Sequence, residues 1–269
     1  MPAIKICLIN QKGGCGKSST CFHLAGHFAE QGMNVLLIDA DPQGSLSQGF
    51  FGPTAIESLA PEETLAALFD ENLFVSPETL ATPTVFQGIT VVRANQSLAP
   101  HNTPCPETTG LKQQALRAAV DELTRFELVL VDCPPNLYQC TWNALLASDF
   151  VLIPVPPEDF GTQGLRVVHQ AINNARGLNP RLQLLGHLVT RYDGRLLVHE
   201  SYTQRLRKLY GESVLSTVIP EATAFKVALA CRQPVTFYAP KSKAALATQS
   251  LGKEILSRIA HMGQTQRVA

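Results

Sequence analysis

Residues 4–19 read Ile4-Lys-Ile-Cys-Leu-Ile9-Asn10-Gln11-Lys12-Gly13-Gly14-Cys15-Gly16-Lys17-Ser18-Ser19. The apolar run Ile4–Ile9 is stopped by Asn10 and a glycine-rich turn. From Ser18 to Gln31 apolar residues then recur at helical spacing (Phe22, Leu24, Ala25, Phe28, Ala29), and Gly32 closes the helix. Strand, glycine-rich turn and helix in that order make a phosphate-binding loop. Backbone N–H groups converge on an oxyanion only where glycines let the chain curl tightly, and the helix N-terminus that follows favours negative charge. Lys17 is placed to reach β- and γ-phosphates, and Ser18 to hold Mg²⁺. The strict pattern G-x-x-x-x-G-K-[ST] asks for glycine at position 11, where glutamine stands. The chain has K-G-G-x-G-K-S instead, with an additional lysine at Lys12.

Further along, Asn34–Asp39 (NVLLID) reads as a second buried strand, and Asp39 and Asp41 leave its end in Asp39-Ala40-Asp41-Pro42-Gln43. Leu128–Val131 is another strand and ends at Asp132. Strands are also expected at Ile89–Val92, Phe150–Val155 and Leu184–Thr190. Helices are expected at Leu111–Leu123, Tyr138–Ala147, Gly164–Ala175, His199–Tyr210 and Lys243–Ala260, with a short one at Glu62–Asp70. Continuous apolar strands alternating with helices predict an α/β fold, a mostly parallel twisted sheet covered on both faces. In such a sheet the C-terminal strand ends meet at one edge, where ligands bind. Asp39, Asp41 and Asp132 therefore converge on the phosphates. The Pro- and Thr-rich stretches Pro53–Pro61 and Ala81–Pro106 read as surface excursions. One domain over 1–269, without an appended helix-turn-helix at the N-terminus, is the expectation.

With 45% hydrophobic and 16% charged residues the chain forms a core, which excludes wholesale disorder. Its longest apolar runs (Leu65–Phe69, Val227–Cys231) fall far short of the ~18–20 residues of a membrane span. Seven cysteines without a C-x-x-C pair point to a reducing cytoplasm. A net charge of zero conceals an asymmetry. Residues 1–180 hold nine Lys+Arg against 17 Asp+Glu, and residues 181–269 hold 13 against five. Two readings stand: separate solvated faces, or a basic surface built by the C-terminal third for a polyanion. His23 and His27 have the spacing of a metal clamp but lack a third ligand nearby, so a packed or solvent-facing pair is expected.

With these residues assembled, the chain resembles the ParA/MinD group of deviant-Walker P-loop ATPases, in its short, Soj-like ParA branch. K-G-G-x-G-K-S carries the resemblance, with Asp39–Gln43 (D-x-D-P-Q) and Asp132-Cys-Pro-Pro135 favouring ParA over MinD. Ile153-Pro154-Val155, Thr190-x-x-Asp193-x-Arg195, Ile219-Pro220 and Pro234–Ser242 extend the match over nearly the whole chain. It implies ATP and Mg²⁺ as cofactors. Gly13, Gly14, Cys15, Gly16, Lys17, Ser18 and Ser19 would surround the phosphates, and Pro220 would lie near the adenine. Lys12 matches the signature lysine that reaches the partner's nucleotide across an ATP-dependent homodimer. Asp41 matches the aspartate that orients the attacking water, Asp132 the Walker B carboxylate holding Mg²⁺ through water, and Asp39 supports the metal from behind.

The resemblance further implies slow, partner-stimulated hydrolysis in the cytoplasm, on the nucleoid. The ATP dimer would bind DNA without sequence preference, and a ParB-like or cargo-adaptor protein would release it, positioning a plasmid, a chromosome or a protein body. Arg195 matches one DNA-contacting arginine. The branch's R-N-V-R after Pro220 is replaced by Glu221-Ala222-Thr223-Ala224. Lys226, Arg232, Lys241 and Lys243 are the candidates for a relocated basic patch. Cys15, where valine is common, reads as a small buried hydrophobe, or as a thiol of lowered pKa beside a helix N-terminus. The alternatives are a MinD-like membrane-cycling ATPase and a nucleotide-switched regulatory protein with little turnover. The Ala244–Ile259 helix, with two basic residues and a polar tail, is expected to pack on the sheet rather than anchor in a bilayer.

Overall fold

In a computed structural model, which describes residues 3–157 and 162–268, successive residues of the central strands enter two different cores. Ile6, Leu8, Leu37, Leu128, Leu130 and Leu152 join one; Cys7, Ile9, Leu36, Ile38, Val129, Val131 and Val151 join the other. Side chains alternate across a strand, so a strand buried on both faces must be apolar throughout. Each such leucine or isoleucine, fully buried, stabilises the fold by about 1.5–3 kcal/mol before ordering costs.

The strands are β1 (Ile4–Leu8), β2 (Val35–Asp39), β3 (Ala81–Pro83), β4 (Ile89–Val92), β5 (Leu128–Asp132), β6 (Phe150–Val155), β7 (Gln183–Tyr192) and β8 (Val214–Pro220). They form one sheet in the order β3-β4-β2-β5-β1-β6-β7-β8. The β3–β4 pair is antiparallel and the other pairs are parallel. From β1 the chain first goes to one side, through β2, and later to the other, through β6. The C-terminal end of β1 is thus the switch point where a crevice opens.

The helices in chain order are α1 (Lys17–Glu30), α2 (Ser45–Phe51), α3 (Pro53–Glu57), α4 (Pro77–Leu80), α5 (Ala115–Glu122) and α6 (Gln139–Ala147). They continue with α7 (Thr162–Arg176), α8 (Leu197–Tyr210), α9 (Thr223–Ala230), α10 (Val235–Tyr238) and α11 (Lys243–Val268). α1, α2 and α11 supply Phe22, Phe28, Leu46, Leu251 and Ile255 to one core, while α5, α6 and α7 supply Leu116, Val120, Leu145, Val168 and Ile172 to the other. α1 and α11 approach through Gly252, where an added Cβ would fall 2.2 Å from the His27 ring. His23 and His27 are both buried in this packing, and among the described residues no cluster of three or more His, Cys, Asp or Glu side chains is arranged to hold a metal.

Some expectations need correction. Leu111–Leu123 is not one helix. A 3-10 turn, Gly110–Gln114, precedes α5, because Asn143 Oδ1 accepts the Leu116 N–H at 3.1 Å and starts the helix there. Glu62–Asp70 is two 3-10 turns split at Thr64, whose extended backbone lets Oγ1 accept from Ala66 N–H at 3.3 Å. The Ala81–Pro106 excursion contributes β3 to the sheet edge. β8 was not anticipated, and α11 runs on past Ala260.

Candidate nucleotide site

Just past the end of β1, Asn10 sets the loop. Its Nδ2 donates to Pro154 O at 2.7 Å, tying it to β6, and its Oδ1 accepts from Lys12 N–H at 3.0 Å. Gly14 (φ +69°) and Gly16 (φ +90°) then take left-handed backbone, which a Cβ would strain. Gly16 occupies the N-cap of α1 with no side-chain cap and no acidic residue in the first turn, leaving the first N–H groups available to an anion. Thr190 Oγ1, from β7, donates to Cys15 O at 2.8 Å and pins the loop at a second point.

Lys17 is buried. Its ammonium donates to Asn10 O (3.1 Å) and Lys12 O (3.2 Å), so the loop's own carbonyls hold it in place. Cys15 is fully buried and burial pushes its thiol up, so the structure supports the small-hydrophobe reading and not a lowered pKa. Above the loop a cleft of about 430 Å³ is lined by Gly13 to Thr20, by Asp41 and Ser45, and by the ends of β7 and β8. Pro220, Ala222, Phe225 and Leu229 give the cleft an apolar part. The wall begins at Gly13 and leaves the half-buried Lys12 outside it.

Asp39 and Asp132 are register partners on β2 and β5, both with no exposed surface. Asp39 is fully engaged: Oδ2 accepts from Ser47 N–H (2.8 Å) and Oγ–H (2.7 Å), and Oδ1 from Asp41 N–H (3.2 Å). It therefore positions α2 and Asp41 from behind. Neither Asp132 oxygen accepts a hydrogen bond of normal geometry. Burial pushes the Asp132 carboxyl well above the usual range and the Asp39 charge adds to this, while the nearby Ser18 hydroxyl and the Lys17 ammonium oppose it. Two buried carboxyl oxygens without hydrogen-bond donors, beside a serine hydroxyl, suit a hard divalent cation with oxygen ligands, so Ser18 and Asp132 fit Mg²⁺. Asp41 stands half-buried on the cleft wall, its Oδ1 accepting from Gln43 N–H at 3.0 Å.

The residues expected to contact DNA are not gathered around one feature. Arg195 is exposed and forked onto Asp193, with Nε 2.9 Å from Oδ1 and a terminal nitrogen 2.6 Å from Oδ2. This pairing pulls the Asp193 carboxyl below its ordinary range. Lys226 stands on the cleft wall, 2.6 Å from Glu221 Oε1. Arg232 packs over Gly52, where an added Cβ would lie 2.8 Å from the guanidinium. Lys241 and Lys243 are exposed just before and at the start of α11. Sequence reading missed Asn10, Arg191, Ser47 and Phe225 as parts of the site. Ser47 and Phe225 carried no usable signal, and Asn10 was legible only as the residue that stops the first strand.

A family model described as an AAA domain matches residues 3–184. The chain is 37% identical over 260 residues to the chromosome-partitioning ATPase Soj of Thermus thermophilus, covering 95% of this chain and 96% of that one. It is 32% identical to the chromosome partitioning protein ParA of Caulobacter vibrioides, over 96% of this chain and 95% of the relative. Among solved structures, a cobyrinic acid a,c-diamide synthase from Mycobacterium smegmatis with bound ADP and magnesium superposes with a TM-score of 0.78 at 28% identity, covering 94% of both chains. Phosphate loop, paired strand-end aspartates, sheet order and these likenesses agree, and the chain belongs to the ParA/MinD family of P-loop ATPases.

Proposed function

We propose that this chain is an ATP- and Mg²⁺-dependent switch that dimerises with ATP, binds duplex DNA without sequence preference, and positions or segregates a cargo. A partner protein of the ParB or cargo-adaptor kind would stimulate its slow hydrolysis and release it from the nucleoid. One observation carries the reading: Lys17 and Asp41 line one cleft above a loop whose glycines and uncapped helix N-terminus suit phosphates. In this reading Lys12 reaches the nucleotide of a second copy across the dimer.

In that reading Lys17 and the loop N–H groups hold the β- and γ-phosphates, and Ser18 and Asp132 hold Mg²⁺, whose charge offsets that developing on the transferred group. Asp41, fixed through its backbone by Asp39, orients the attacking water. Phosphoryl transfer is mainly positioning and charge stabilisation, so a lysine supplied in trans makes hydrolysis wait for dimerisation. The basic C-terminal third suits phosphate contacts that add up without reading bases. Arg195 would exchange Asp193 for a DNA phosphate, with Lys226, Arg232, Lys241 and Lys243 as further candidates. Leu251 and Ile255 of α11 are buried in the core against the sheet, which leaves those residues unavailable to a bilayer. Among the described residues no helix is long and apolar enough to cross a membrane.

The test is a gel shift of Asp41→Ala with ATP on unrelated duplexes at ~50 and ~200 mM salt, where phosphate contacts show. Binding that is equal across sequences, weakens at the higher salt and falls further in an added Arg195→Ala supports the DNA step. No binding at the lower salt rejects it.

A further inference from the structure

Arg191 follows Thr190 near the end of β7 with a left-handed backbone, φ +53°, uncommon for a non-glycine residue. Such conformations cost free energy and persist where the surroundings over-determine them, often at ligand clamps. Its guanidinium is on the cleft wall: NH1 donates to Gly14 O at 3.4 Å, in the phosphate loop, and Nε donates to Glu221 Oε2 at 3.2 Å, just after β8. The other Glu221 oxygen takes the Lys226 ammonium at 2.6 Å. A single carboxylate therefore faces two cations on the wall, and the hydrogen bond from Lys226, with the one from Arg191, draws the Glu221 carboxyl below its ordinary range.

We propose that Arg191 is a ligand of the nucleotide's phosphate chain, supplied in cis from the end of β7, and that Glu221 is the carboxylate it leaves when the nucleotide enters. This rests on the reading of the cleft as an ATP site. The guanidinium already lies beside the loop whose N–H groups cradle phosphates. A nucleoside triphosphate offers several negative charges against one on Glu221, and a planar fork pairs well with phosphate oxygens. The arrangement also removes a difficulty. Glu221 alone would repel a polyanion from the cleft, whereas Arg191, Glu221 and Lys226 together present a net positive charge. Glu221 then acts as a placeholder that keeps both side chains on the wall.

The experiment is titration of Arg191→Gln, Glu221→Gln and Lys17→Ala with MgATP and with MgADP by calorimetry, beside the unsubstituted protein. Loss of a charge-assisted hydrogen bond is expected to weaken both nucleotides about tenfold or more in Arg191→Gln. Glu221→Gln is expected to bind at least as tightly as the unsubstituted protein, since the phosphates no longer compete with a carboxylate. Unchanged binding by Arg191→Gln overturns the proposal. So does a Glu221→Gln variant weakened about tenfold or more, which would make the pair a structural tie between β7 and β8. Glu221→Gln leaves Arg191 in place, so it remains decisive if Arg191→Gln folds poorly. Failure of the ATP-site reading itself is distinguishable, because the unsubstituted protein and Lys17→Ala would then be indistinguishable.

Discussion

Asp39 and Asp132 face each other across the β2–β5 pairing, fully buried, yet only Asp39 has hydrogen-bond donors on its oxygens. The asymmetry divides their tasks. Asp39 is spent on Ser47 and Asp41, and Asp132 is left as a buried carboxyl without a hydrogen-bond donor on either oxygen, which a cation can satisfy.

Asp132→Asn should therefore melt at the same or a higher temperature than the unsubstituted protein when neither nucleotide nor Mg²⁺ is present, because a buried unpaired carboxylate is costly. The advantage should reverse with both ligands. A ligand at about 100 times its Kd stabilises by about 2.7 kcal/mol, and the variant should lose most of the Mg²⁺-dependent part of that gain. Differential scanning fluorimetry with ATP, with and without Mg²⁺, measures both effects. A variant stabilised by MgATP as fully as the unsubstituted protein would remove Asp132 from the metal site.

Lys12 and Lys17 should separate cleanly. Lys12 is outside the cleft wall, so Lys12→Ala should bind ATP within about twofold of normal while losing ATP-dependent dimerisation, since the contact it makes is charge-assisted. Light scattering with and without ATP checks this. Normal dimers in Lys12→Ala would defeat the trans assignment.

Acidification should destabilise the protein before its surface carboxylates titrate. Burial pushes His23 down to about 3 and His187 down to about 4, from an ordinary value of about 6.5. Both are neutral when folded, while the unfolded chain takes up their protons. Stability is therefore fully present above about pH 6.5 and declines as pH falls from there towards 4. Each histidine should cost about 2 kcal/mol by pH 5. The raised carboxyls of Asp39 and Asp132 act in the opposite direction, so the informative quantity is a difference. Urea unfolding at pH 7 and pH 5 should show a smaller loss in His187→Gln than in the unsubstituted protein. Equal losses would assign the acid sensitivity elsewhere.

The phosphate loop, the central strands and the aspartates at their ends were legible in the chain because each depends on neighbours in sequence. Glycine's tolerance of positive φ at Gly14 and Gly16, and the apolar runs of β1, β2 and β5, act over a few residues. β8 was missed because Ser216 and Thr217 interrupt its apolar run. Their N–H groups bond instead to Glu254 of α11, at 2.7 and 2.8 Å, which satisfies an edge strand in a way no local pattern announces. Thr190 closing on Cys15 O from 175 residues away, and Arg191 meeting Glu221 across 30, are likewise products of strand order. Local conformational preference determined where the loop and strands are. Only the placing of β7 and β8 in the sheet beyond β6 decided which distant side chains complete the cleft, because charge and hydrogen-bond partners are chosen by distance in space.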